Sequence, residues 1–190
     1  MNSLSFRITG VAPLIMHNGQ LADPLNEWAK RISAVSSKRK KVESDLEEMA
    51  KLEFLGSLYL YDGFPCIPTE VIDACLTGRG GASRKVRAGA SVQAGVFADA
   101  PLPLEYDGPR PPLELWEDHR FRLRVAAKIG QAKVMRTRPI FEQWSAGGKI
   151  AYNPDLVNEQ NLRSWLELAG AEVGIGDWRP KYGRFTVEFA

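Results

Sequence analysis

Histidine and cysteine are almost missing from this chain, with two of each in 190 residues. His17, His119, Cys66 and Cys75 offer no spacing that suits a structural metal. The two cysteines flank a loop-to-helix step and read as reduced core thiols of a cytoplasmic protein rather than as a disulfide. No apolar run approaches the roughly 18 to 20 residues of a membrane span. Residues 1–8 lack a basic stretch followed by an apolar one, so neither a membrane partner nor a secretory signal is expected. A phosphate-binding P-loop, a dinucleotide fingerprint and a nucleophile motif are missing as well. The chain therefore reads as a binding protein that needs no cofactor.

Acidic residues are missing from two long stretches, although the chain as a whole carries only +2. Residues 76–98 hold Arg79, Arg84, Lys85 and Arg87 with no carboxylate. Residues 119–141 hold Arg120, Arg122, Arg124, Lys128, Lys133, Arg136 and Arg138, again with none. Together these stretches carry +11 and leave −9 for the remainder. Such segregation builds a local positive field whatever the total charge, and a polyanion is the partner it suits.

The richest segment is Gly174-Ile175-Gly176-Asp177-Trp178-Arg179-Pro180-Lys181-Tyr182-Gly183-Arg184-Phe185, between a helical and a strand pattern. Glycine permits left-handed backbone and close approach, so this loop could wrap the backbone of a ligand. Its amides, with Arg179, Lys181 and Arg184, suit phosphate, and Trp178 and Tyr182 suit stacking on a base. The plainer expectation is a tight helix-to-strand turn with a glycine cap.

The hydrophobic content of 44% is enough for one packed domain over residues 1–190, with insertions expected around 33–55 and 77–118. Leu4, Phe6 and Ile8 alternate with Ser5, Arg7 and Thr9 and predict a strand over 3–10. A helix is expected to start near Asp23-Pro24 and to align Leu25, Trp28, Ala29 and Ile32. The basic run 38–41 reads as a linker or helix start, followed by an acidic helix over 43–52 and a short strand over 56–61. Residues 67–76 predict a helix entered through Ile67-Pro68, running into a glycine-rich basic segment, 78–85, expected to be mobile or ordered only by a partner. Residues 101–112, with five prolines, should return the chain across the surface.

The alternation over 120–125 predicts a strand with Arg120, Arg122 and Arg124 on one face and apolar side chains on the other. An arginine row is costly unless something anionic lies across it, either a bound polyanion or acidic neighbours from elsewhere in the fold. Residues 134–139 repeat the alternation. A strand over 149–152, a helix capped by Asn158 with Leu162, Trp165, Leu166 and Ala169 inward, and a closing strand over 183–189 complete the chain. Strand, helix, glycine loop and strand make half of a ferredoxin-like unit, and residues 3–10 with the 68–76 helix supply the other half. The expected fold class is α+β: a ferredoxin-like or RRM-like antiparallel sheet, helices on one face, with inserted loops or a subdomain.

Three segments give the chain a resemblance to the RAMP superfamily of CRISPR-associated proteins, above all to the backbone subunits that polymerise along a guide RNA. Residues 7–15 are similar to that family's opening strand and loop. Residues 67–76 resemble its helix start, and residues 173–185 have the spacing of its Gly-rich loop. The resemblance extends to a phage or mobile-element relative of the family. It implies nucleic acid lying across the sheet and loop, with self-association or other CRISPR-type subunits as partners. It also implies backbone contact at Gly174, Gly176 and Gly183 and phosphate contact at Arg179, Lys181 and Arg184; independently of it, Arg120, Arg122 and Arg124 suggest a basic sheet face, and Arg79, Arg84, Lys85 and Arg87 a mobile clamp.

Phosphate contacts bind without reading sequence, which suits a coating protein. Single-stranded RNA is the favoured ligand, and single-stranded DNA, as for a phage annealing protein, is the first alternative. A mimic that docks onto a CRISPR complex is a third possibility. A ribonuclease using His17 as general base ranks last, because no second acid or base accompanies it.

Overall fold

The computed structural model describes residues 1–130 and 132–190. In chain order the elements are β1 (Asn2–Gly10), β2 (Leu14–Ile15), α1 (Glu27–Ser36), α2 (Glu43–Ser57), β3 (Leu60–Tyr61), β4 (Phe64–Ile67), α3 (Thr69–Leu76) and α4 (Ala82–Lys85). They continue with β5 (Val96–Ala98), β6 (Leu102–Pro103), α5 (Pro112–Glu117), β7 (Arg122–Ile129), β8 (Ala132–Phe141), β9 (Ser145–Tyr152), α6 (Glu159–Leu168) and β10 (Phe185–Phe189).

The main sheet has the order β10-β1-β9-β5, with every neighbouring pair antiparallel. With α3 between β1 and β5, and α6 between β9 and β10, this is the βαββαβ path of a ferredoxin-like α+β fold. The period-2 pattern of β1 explains its orientation. Leu4, Phe6 and Ile8 are buried, whereas Arg7 and Thr9 stay exposed. Ile72, Cys75 and Leu76 of α3, and Leu162, Trp165 and Leu166 of α6, join the same core on that side. Each such fully buried side chain contributes about 2 kcal/mol of transfer free energy. The opposite face of the sheet carries Arg7, Lys149 and Glu188, so it holds both charge signs.

The other elements interrupt this unit. β2, α1, α2, β3 and β4 lie between β1 and α3, and β6, α5 and the long β7–β8 hairpin lie between β5 and β9. β2 extends the hairpin at Leu14↔Phe141 and Ile15↔Ile140, which seats the hairpin base beside the main sheet.

Several sequence expectations need correction. α1 starts at Glu27, not Asp23: the Asn26 side chain accepts the Trp28 amide at 2.9 Å and caps it. The strand expected over 56–61 begins as helix instead, because α2 runs on to Ser57 and buries Phe54, Leu55 and Gly56. Only Leu60–Tyr61 is extended, paired with Phe64–Pro65 across the Asp62-Gly63 turn. Residues 78–85 form an ordered connection in which Ala82 and Ser83 are completely buried. β5, three residues long, is too short to show a period and was not anticipated.

Candidate nucleic-acid interface

The glycine loop is built by crossings of the chain over itself. α6 ends in a π-helical turn, Ala169–Val173, and Gly174 leaves it with φ of +70°. Gly176 (φ +79°) passes over Ile15 of β2, where a Cβ would overlap the Ile15 carbonyl oxygen. Gly183 (φ +69°) lies against Ile175, whose carbonyl a Cβ would strike. Several loop amides are bonded within the protein. Ile175 donates to the Gly183 carbonyl (2.9 Å), Asp177 to Ile15 (2.8 Å), Gly183 to Pro13 (2.8 Å) and Tyr182 to Trp178 (3.3 Å). The amides of Gly174 and Gly183 are thus already engaged, by Ala169 and Pro13, and the loop is tied to the opening strand.

What that junction displays is side chains. Trp178 is held at φ +55° with 39% of its surface exposed, and its ring centroid is 6.1 Å from that of Tyr182. Lys181 Nζ sits 5.4 Å from the Tyr182 centroid. Arg179, Lys181 and Arg184 are all exposed. Among the described residues none of the three forms an ion pair with a carboxylate.

The arginine row is rearranged by the fold. Arg120 is not on β7; it lies in a 3₁₀ turn, His119–Phe121, and is held by Asp118 at 2.8 Å. Arg122 and Arg124 do share one face of β7. Register Leu123↔Arg138 and Val125↔Arg136 brings two further arginines onto the face expected to be apolar. Arg122 stacks 4.5 Å over the Trp116 ring and donates to His119 Nδ1 at 2.6 Å. Arg124 faces a groove of about 700 Å³ between α2 and β7, shared with Glu47, Glu48, Lys51 and Trp116. Acidic neighbours from α2 and α5 thus meet part of this row. The side chain of Lys128 lies outside the described residues.

The 79–87 cluster is divided. Arg79 and Arg87 are exposed, Arg84 is half-buried, and Lys85 pairs with Glu172 at 3.1 Å. Of the basic run 38–41, Lys38 pairs with Asp45 at 2.6 Å at the start of α2.

His17 occupies a different kind of place. It lines a cavity of about 310 Å³ together with Glu53, Arg136, Arg138, Leu21 and Ile32. Its backbone carbonyl accepts the Tyr59 hydroxyl at 2.9 Å, while its Nδ1 is buried with no partner. Burial, followed by the nearby Arg138 charge, holds the imidazole below its ordinary range, so it is neutral at pH 7. Arg138 Nε is 3.6 Å from Asp177 Oδ2, linking the hairpin to the glycine loop. Glu53 of α2 accepts Arg136 Nη1 at 2.5 Å and the Thr137 amide at 2.9 Å. The gathering of His17, Arg136, Arg138, Glu53 and Asp177 was not anticipated. The alternation over 134–139 marked the two arginines as a strand pair, but nothing local marked their partners.

Cys66 and Cys75 are free and buried, with burial pushing their thiols up to about 11 and about 12. Among the described residues no group of three histidine, cysteine or carboxylate side chains is placed to hold a metal ion. No helix is long and apolar enough to cross a membrane. No protein-family model matches the chain, and no curated protein matches it significantly.

Proposed function

We propose that the protein binds single-stranded nucleic acid, RNA in preference to DNA, without catalysis, as the RAMP-like backbone subunits that it resembles coat a guide strand. The observation that carries this is the face of the glycine loop: an exposed Trp178 beside the half-buried Tyr182, among Arg179, Lys181 and Arg184, cations with no carboxylate partner among the described residues. Aromatic rings give stacking to any base, and unpaired cations give phosphate contacts, which together suit sequence-tolerant strand binding. The tied loop backbone supports the reading, since a backbone already held in place loses little entropy on binding. Arg122, Arg124 and the exposed Arg79 and Arg87 would extend the positive surface beyond the loop.

The test is fluorescence anisotropy with a 30-nucleotide strand, as RNA and as DNA, at two salt concentrations. An Arg179/Lys181/Arg184→Ala variant should weaken binding and reduce the salt slope by about 2, at roughly 0.7 per lost phosphate contact. Trp178→Ala should weaken binding by about 1–3 kcal/mol with little change of slope. A folded wild type that binds neither strand would overturn the proposal.

A second reading, an interaction protein that docks onto a nucleoprotein complex, draws on the β3–β4 hairpin. Tyr61 and Phe64 face each other there with 51% exposure each, beside exposed Leu60.

A further inference from the structure

Two side chains that line the same cavity, His17 and Arg138, each carry a buried nitrogen with no hydrogen-bond partner among the described residues. Arg138 is 9% exposed, yet its Nε makes no hydrogen bond. The 3.6 Å separation from Asp177 is an ion-pair distance, beyond a hydrogen bond. His17 Nδ1 is likewise buried and unpartnered. A buried polar atom left unsatisfied costs about as much as a lost hydrogen bond, so Arg138 Nε, a donor, and His17 Nδ1, a donor once the ring is protonated, suit an acceptor from outside.

The surrounding charges narrow the acceptor's chemistry. Glu53 is engaged by Arg136 Nη1 and the Thr137 amide. Asp177 is engaged by the Trp178 amide at 3.0 Å. Each carboxylate thus has a donor of its own, while Arg138 Nε has only its 3.6 Å ion pair with Asp177 and His17 Nδ1 has no partner among the described residues, which leaves hydrogen-bonding capacity for a further oxyanion. Leu21, Ala22 and Ile32 supply the apolar part of the lining. About 310 Å³ is more than a bare oxyanion needs and falls at the small end of organic-ligand pockets.

We propose that this cavity binds a phosphomonoester of nucleotide size, its phosphoryl group held by Arg136, Arg138 and His17 and its organic part lying against Leu21 and Ile32. A phosphoryl group presents three acceptor oxygens at about −1.5 to −2 charge, which suits an arginine pair and a ring N–H. The incoming charge offsets the Arg138 repulsion that, with burial, keeps His17 neutral, so the ring gains a proton as the ligand binds. The ligand source is either a free nucleotide or the phosphorylated end of a strand. The site stands apart from strand coating by the glycine loop, and the two can fail separately.

Isothermal titration of adenosine 5′-monophosphate, with adenosine and sulfate as comparators, tests it on the intact chain. The monophosphate should bind at least about tenfold more tightly than adenosine, the difference of one charge-assisted hydrogen bond or more. His17→Gln and Arg136→Gln should each weaken it by about tenfold, while Arg163→Gln, whose partner is Glu159, should leave it unchanged. Because Arg138→Gln and Arg136→Gln, the latter unpairing buried Glu53, endanger folding, both are read only where circular dichroism shows native structure, and His17→Gln decides without them. Titrations in buffers of different ionisation enthalpy should show proton uptake that His17→Gln abolishes. Equal affinity for monophosphate and adenosine, or monophosphate binding untouched by His17→Gln, overturns the proposal. A 15-nucleotide strand with a 5′-phosphate is then compared with the same strand bearing a 5′-hydroxyl. A His17-dependent preference for the phosphate identifies a strand end as the source, and monophosphate binding without that preference identifies a free nucleotide. Strand binding that survives His17→Gln while monophosphate binding is absent supports loop coating and overturns the cavity site.

Discussion

Glu53 and Arg136, eighty-three positions apart, meet at 2.5 Å and fasten the β7–β8 hairpin to α2. The same carboxylate accepts the Thr137 amide at 2.9 Å, so one side chain satisfies both a cation and a donor on the free edge of β8. Removing it leaves both groups unpaired in a largely buried place. Glu53→Ala should destabilise the protein by about 3 kcal/mol. Chemical denaturation checks this, and the loss should exceed that of Arg7→Ala, whose pair with Glu105 is exposed.

Gly176 and Gly183 separate a structural role from a ligand-binding one. Their positive φ and the carbonyls of Ile15 and Ile175 leave no space for a Cβ. Gly183→Ala should therefore lower the melting temperature before any strand is added. If it melts like wild type but fails to bind a strand, the glycine serves the ligand instead.

His17 gives stability a pH dependence of definite sign. Its folded-state pKa lies below the unfolded value, so the unfolded chain binds the proton more readily. The contribution is complete above about pH 6.5 and is lost as pH falls below it. Melting temperatures at pH 7.5, 6.5 and 5.5 should decline for wild type and decline less for His17→Gln. Carboxylates held low by their partners, such as Asp118 beside Arg120, act in a more acidic window.

Arg120 and Lys181 should behave differently although both are exposed cations. Arg120 is occupied by Asp118 at 2.8 Å, whereas Lys181 has no carboxylate partner among the described residues. Arg120→Ala should leave strand affinity within about twofold, and Lys181→Ala should reduce both affinity and salt slope. Anisotropy at two salt concentrations distinguishes them.

Much of the fold was legible because its signals are local. The alternation of Leu4, Phe6 and Ile8 marked β1, and the inward face of Leu162, Trp165 and Leu166 marked α6. Asn158 did cap α6, accepting the Asn161 amide at 2.8 Å. The pairing of two half-units into a ferredoxin-like sheet followed from their order along the chain. The candidate site was less legible. Arg122 and Arg124 alternated as expected, but nothing in that pattern said that Arg136 and Arg138 would back onto them, or that Arg120 would turn away to Asp118.

By itself the sequence determined where the chain must alternate, cap and turn, because dihedral limits and hydrophobic periods act over a few residues. It also determined that the glycine loop must carry its cations and aromatic rings together. Which cations stay free was decided only by the tertiary structure, since a charge is paired by whatever distant carboxylate the packing brings within about 4 Å. The same packing decided that His17, Arg136 and Arg138 line one cavity, because strand register and the docking of α2 on β8 are set by the core as a whole.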